Sequence, residues 1–131
     1  MSEQNTPYER IGGEPVVRKL CQIFYQIMCD TPQTALIRDL HPQDIALSEE
    51  KLFMFLSGWL GGPSLYTDKY GHPRLRARHL PYSIGIEERD QWLYCMAQAL
   101  KTLDLEPQFA EQLMSSFVQT ADFMRNRAEE S

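Results

Sequence analysis

The chain is 131 residues long, one domain's worth of protein and enough to bury a real core. Hydrophobic residues make up 43% of it and charged residues 24%, ordinary for a soluble globular protein, and no stretch approaches the roughly 20 apolar residues that span a bilayer. A net charge of −5 argues against indiscriminate nucleic-acid binding, which needs a basic face, and the polar start Met-Ser-Glu-Gln-Asn-Thr has no secretory pattern, so the expected compartment is the cytoplasm.

The elements read as helices divided by glycine and proline, with no alternating run that would suggest a sheet. A helical turn near Tyr8–Ile11 gives way to Gly12-Gly13, and a helix restarts at Glu14-Pro15, proline being tolerated in a first turn. Val16, Leu20, Phe24 and Ile27 form its stripe, which ends near Asp30-Thr31-Pro32. A short helix over Pro32–Arg38 precedes Leu40-His41-Pro42, an extended or turn segment because the residue before proline avoids helical angles. The next helix runs from about Ser48 to Leu60. Leu52, Phe53, Phe55, Leu56, Trp59 and Leu60 make it apolar on more than one face, the mark of a sandwiched helix.

Gly61-Gly62-Pro63 ends that helix, and residues 63–73 read as a long loop, a kind of segment that is usually functional in a compact domain. A short helix from Arg74 to Leu80 is stopped by Pro81. From Ile86 to Leu103, Trp92, Met96, Leu100 and Leu103 line one face. Pro107 opens a last helix with Phe109, Leu113, Phe117 and Ala121 at every fourth position. The expectation is a single all-α domain over residues 1–131, with 1–6 and about 126–131 as tails. Cys21, Cys29 and Cys95 are an odd, widely spaced set without a CxxC pair, which fits neither a disulfide framework nor a zinc site. Cys21 and Cys95 fall in apolar helical patterns and read as buried thiols.

The informative segment is Gly71-His72-Pro73-Arg74-Leu75-Arg76-Ala77-Arg78-His79-Leu80-Pro81. Arg74, Arg76 and Arg78, with Lys69 upstream, concentrate positive charge in an acidic chain, so an anionic group is expected there. A haem would meet these demands: an imidazole for its iron, cations for its propionates and a wide apolar slot for its ring. Composition alone does not separate haem from a phosphorylated ligand, and a lone histidine such as His79 or a solvated arginine face has ordinary structural explanations.

Several motifs then fall in a telling order: Tyr8-Glu9-Arg10-Ile11-Gly12-Gly13, Phe24-Tyr25, Phe55-Leu56 through Gly61-Gly62-Pro63, the Gly71–Pro81 segment, and Trp92 thirteen residues after His79. Over about residues 7–125 the chain resembles the group II truncated haemoglobins. The resemblance implies a two-over-two helical sandwich around a b-type haem, with the double glycines as hinges. It implies that His79 is the proximal iron ligand and that Arg78 pairs with a propionate. It places Tyr25 and Trp92 as hydrogen-bonding residues on the ligand side, and Ser48 and Leu52 over the haem. Phe55, Arg76, Tyr82 and Met96 are further haem contacts in this reading. His41 stands where the family usually has Tyr or Phe.

Dioxygen on ferrous haem carries partial negative charge, which a Tyr O–H or an indole N–H can stabilise. Each assignment has a plainer counterpart. Trp92 fits core packing beside Met96, Tyr25 fits a buried tyrosine bonded to backbone, and Ser48 fits a helix cap. His41 could donate to a ligand, bond to Tyr25 or coordinate iron. His72, between glycine and proline, fits a structural or propionate-side role better than ligation. The function implied is binding of O2, CO or NO, with nitric oxide conversion to nitrate or peroxide reduction as related redox chemistry needing an external reductase. The competing reading is a haem-free helical module that docks an acidic partner on its arginines.

Overall fold

The computed structural model describes residues 6–41, 44–71 and 84–123. Within them lie α1 (Pro7–Ile11), α2 (Glu14–Asp30), a 3-10 turn (Pro32–Thr34), α3 (Ala35–Asp39), α4 (Ala46–Trp59), α5 (Leu65–Tyr70), α6 (Ile86–Lys101) and α7 (Pro107–Phe123). No strand occurs among the described residues, and none of the described helices is long and apolar enough to cross a membrane. The helix predicted from Arg74 to Leu80 lies outside the described residues.

α2 is the hub. Its buried stripe is Val17, Leu20, Cys21, Phe24, Tyr25 and Met28, rotated slightly from the predicted one, in which Val16 and Ile27 prove only half-buried. It packs against α4 on one side and α6 on the other, and α6 packs on α7. α4 touches more than α2, as its all-round apolarity predicts. It also packs on α5, and Trp59 stacks on Phe117 of α7 with ring centroids 4.6 Å apart. Two helix pairs thus close on one core that includes Phe24, Leu56, Met96 and Phe117.

Three local expectations change. The segment 63–73 is not all loop, because Leu65–Tyr70 forms α5 against α4, with Gly71 at φ +83 ending it. So short a helix is marginal alone, and packing supplies what its local sequence does not advertise. α4 starts at Ala46, two residues before Ser48, and the Asp44 carboxylate accepts from Ala46 N–H at 3.0 Å. Ser48 is therefore not the cap. The predicted helix over Pro32–Arg38 is divided into the 3-10 turn and α3. Thr34, fully buried between them, donates its hydroxyl to the Met28 and Thr31 carbonyls, each at 2.9 Å.

α1 is closed by a reciprocal cap, Thr6 Oγ accepting from Glu9 N–H and the Glu9 carboxylate from Thr6 N–H. It docks on the end of α4 through Tyr8 N–H to Leu60 C=O at 2.9 Å. A Cβ on Gly62 would lie 2.5 Å from the Tyr8 ring, so glycine is there to seat that ring. Cys21 and Cys95 are buried and Cys29 exposed, all three as free thiols.

Candidate functional site

α2 carries Tyr25 into the core, where it is 5% exposed. Its ring meets Phe24 edge-on with centroids 4.9 Å apart and His41 at 5.5 Å. Phe24 in turn meets Trp92 of α6 at 5.2 Å, and Phe117 backs the indole at 5.8 Å. Tyr25 and Trp92 are thus joined through Phe24, whose linking position its place on the apolar stripe did not reveal, and His41 joins the row through Tyr25.

Burial raises the Tyr25 phenol well above its ordinary value, and Cys21, Glu49 and Cys95 nearby push the same way. Tyr25 accordingly keeps its proton and presents an O–H donor. Among the described residues that hydroxyl has no hydrogen-bond partner, unlike the great majority of buried polar groups. The backbone-bonded tyrosine that the sequence left open is not what the fold builds.

His41 follows α3 in a turn, its N–H bonded to Arg38 C=O at 3.0 Å. Its Nδ1 lies 2.9 Å from the Ile37 carbonyl oxygen. A carbonyl only accepts, so Nδ1 carries the proton, and in the neutral ring Nε2 is an acceptor. Neutral His41 can then accept from Tyr25 or bind a metal, but donating to a ligand from Nε2 requires the imidazolium. Ile37 N–H donates to Gln91 Oε1 at 3.0 Å. Gln91, beside Trp92 on α6, therefore holds the short helix that precedes His41. A glutamine at the end of the charged run Glu87–Asp90 gave no sequence signal of this tie.

Leu52 and Phe55 sit on α4 and, with Trp92 and Leu93 of α6, are only half-covered although all four pack on the core. Met96, one turn beyond Trp92, is completely enclosed by protein. Ser48 is half-buried in the first turn of α4 and, among the described residues, its hydroxyl has no hydrogen-bond partner. His72, Arg74, Arg76, Arg78, His79 and Tyr82 lie outside the described residues, while Lys69 is exposed on α5. Half-covered large apolar side chains beside an orphaned buried hydroxyl fit a flat apolar group that brings a polar ligand atom with it. The described half of the pocket is therefore compatible with haem.

The chain matches the family of bacterial-like globins over residues 6–126. It is 41% identical over 125 residues to the group 2 truncated haemoglobin YjbI of Bacillus subtilis, covering 95% of this chain and 92% of the relative. The cold-adapted truncated haemoglobin of Pseudoalteromonas haloplanktis superposes with a TM-score of 0.92 at 42% identity, over 95% of this chain and 100% of that one. The truncated oxygen-avid haemoglobin of Bacillus subtilis does so with a TM-score of 0.85 at 41% identity, over 93% and 100% of the two chains. With its helical sandwich and its Tyr25–Phe24–Trp92 cluster, this chain belongs to the bacterial-like globins, as a group 2 truncated haemoglobin.

Proposed function

We propose that the protein binds dioxygen and other small diatomics on a b-type haem held by His79, with Tyr25 and Trp92 as hydrogen-bond donors over the ligand. The observation that carries this is the Tyr25 hydroxyl, buried, protonated and without a partner among the described residues. The oxygen avidity named for the Bacillus subtilis structure accords with it. Ferrous haem supplies reversible binding of the diatomic. The chain's own residues do the rest: Leu52 and Phe55 exclude water, Arg78 and Arg76 meet the propionates, and Tyr82 flanks the ring. Met96 supports Trp92 from within the core.

Retention of a ligand by O–H and N–H donors favours chemistry on it over rapid release. Nitric oxide oxidation to nitrate by bound oxygen, or peroxide reduction, is the redox extension of this reading, fed by an external reductase. The arginine-docking module is not favoured, because membership of the globins accounts for the same residues. The test is direct. Purified protein titrated with hemin should bind it in a one-to-one ratio and show the absorption of five-coordinate ferrous haem on reduction. His79→Ala should abolish that spectrum, whereas an unchanged deoxy spectrum and carbon monoxide affinity would overturn the assignment.

A further inference from the structure

One row of side chains leads away from the ligand pocket at Phe55 with a geometry that ligand binding does not need. Phe55 of α4 meets Tyr66 of α5 edge-on with centroids 6.4 Å apart, and Tyr66 meets Tyr70 one turn later at 4.9 Å. The row ends between two cations, with Lys51 Nζ and Lys69 Nζ each 5.4 Å from the Tyr70 ring centroid. Both tyrosines are half-buried, and Tyr66 lines a cleft of about 230 Å³ shared with Phe55, Trp59, Ser64 and Thr67. Contact with water there gives a phenolic proton somewhere to go.

We propose that Tyr66 and Tyr70 form an oxidation relay from the haem edge at Phe55 to the surface, where Tyr70 oxidises small anionic phenols drawn in by Lys51 and Lys69. The proposal rests on the haem reading above and on Phe55 lying against the ring. Phenylalanine is not itself oxidised at accessible potentials, so Phe55 acts only as a bridge, whereas each tyrosine can lose one electron and its phenolic proton together. The balance closes with hydrogen peroxide as oxidant. Two tyrosines give up two electrons and two protons, the O–O bond breaks, and two waters form. The paired phenoxyl radicals then have two fates. They join through a new carbon–carbon bond between the rings, the displaced ring hydrogens restoring the two hydroxyls, or each regains a hydrogen atom from an external phenol. Rings 4.9 Å apart are placed for the first fate when no reductant is present. Two short hops between oxidisable rings are faster than one long transfer, because electron tunnelling falls steeply with distance.

The experiment uses the haem-loaded protein, its absorption checked first, treated with equimolar hydrogen peroxide and digested with trypsin. Lys69 separates the two tyrosines, so cleavage at Lys51, Lys69 and Arg74 puts Tyr66 in peptide 52–69 and Tyr70 in peptide 70–74. A cross-link joins these peptides at their summed mass less two hydrogens. That species is expected in the wild type and in Tyr94→Phe, is absent from Tyr66→Phe and Tyr70→Phe, and is suppressed by added 4-hydroxyphenylacetate. In turnover, 4-hydroxyphenylacetate should be consumed about two- to fivefold faster than tyramine, the same ring with a cationic tail, a modest ratio because exposed charges are screened. Lys51→Glu with Lys69→Glu should reverse that preference while the cross-link still forms, read in that variant as the loss of two hydrogens from the single tryptic peptide 39–74 that then carries both tyrosines. Consumption of peroxide with oxidation confined to Tyr25, Tyr82 or Tyr94 would overturn the relay and leave the haem reading standing. A protein that takes up no haem would overturn both.

Discussion

Tyr25, Trp92 and His41 each draw their chemistry from what surrounds them. Because Tyr25 is walled by Phe24 and held protonated by burial, it offers a donor and no competing charge. If both it and Trp92 donate to bound oxygen, removing either donor should speed oxygen release more than carbon monoxide release, since bound carbon monoxide carries less charge. A hydrogen bond to a charged group is worth about 1.5–3 kcal/mol, and each 1.4 kcal/mol is about tenfold. Tyr25→Phe and Trp92→Phe should thus each raise the oxygen off-rate by on the order of ten- to a hundredfold in stopped-flow displacement. The double mutant should depart from additivity, because both side chains pack on Phe24. A triple variant with His41→Phe that still releases oxygen at the wild-type rate would end the polar-pocket reading. The residue types were legible in the sequence. The proton on His41 Nδ1 was not, because it depends on a carbonyl that only the turn after α3 brings within reach.

Among the elements, the short ones show how little helix formation owes to local sequence here. α3 is five residues and α5 six, lengths that isolated peptides do not sustain. α3 persists because Gln91 of α6 takes its Ile37 N–H and Thr34 ties its start to the end of α2. α5 persists through its packing on α4. At the other end of α4, α1 rests on Gly62, which gives a sharp expectation. Gly62→Ala drives a methyl into the Tyr8 ring, an overpacking worth about 1–3 kcal/mol, read as a lower midpoint in urea unfolding. Tyr8→Ala in the same chain should recover part of the loss, since the clash partner is gone. A Gly62→Ala protein as stable as wild type would mean that α1 docks by Tyr8 N–H to Leu60 C=O alone. The double glycine at 61–62 seats α1 in this fold, with Gly61 at φ +96 reversing the chain beside Thr6.

Across the whole molecule, burial of the core also sets an upper pH limit on stability. Burial pushes the Cys21 thiol up to about 12 and the Cys95 thiol up to about 11, both from an ordinary value near 9. Each group holds its proton more tightly folded than unfolded. Its contribution is therefore complete below about pH 9 and is lost as pH climbs towards those raised values. The urea midpoint should fall steeply above about pH 9, and Cys21→Ala with Cys95→Ala should flatten that fall while costing stability at neutral pH through the cavities left. An identical alkaline slope in the double variant would mean that other groups control it.

What the sequence determined by itself was the four long helices, the burial of Cys21 and Cys95 and the sandwiched nature of α4. Each follows from apolar periodicity or from a motif with fixed spacing, which are properties of the chain read along its length. What only the tertiary structure decided was α5, the role of Gly62, the Gln91–Ile37–His41 tie and the row of rings from Phe55 to Tyr70. These join residues whose partners lie on other helices or across a turn, so their energies exist only once α2, α4 and α6 have closed on a common core.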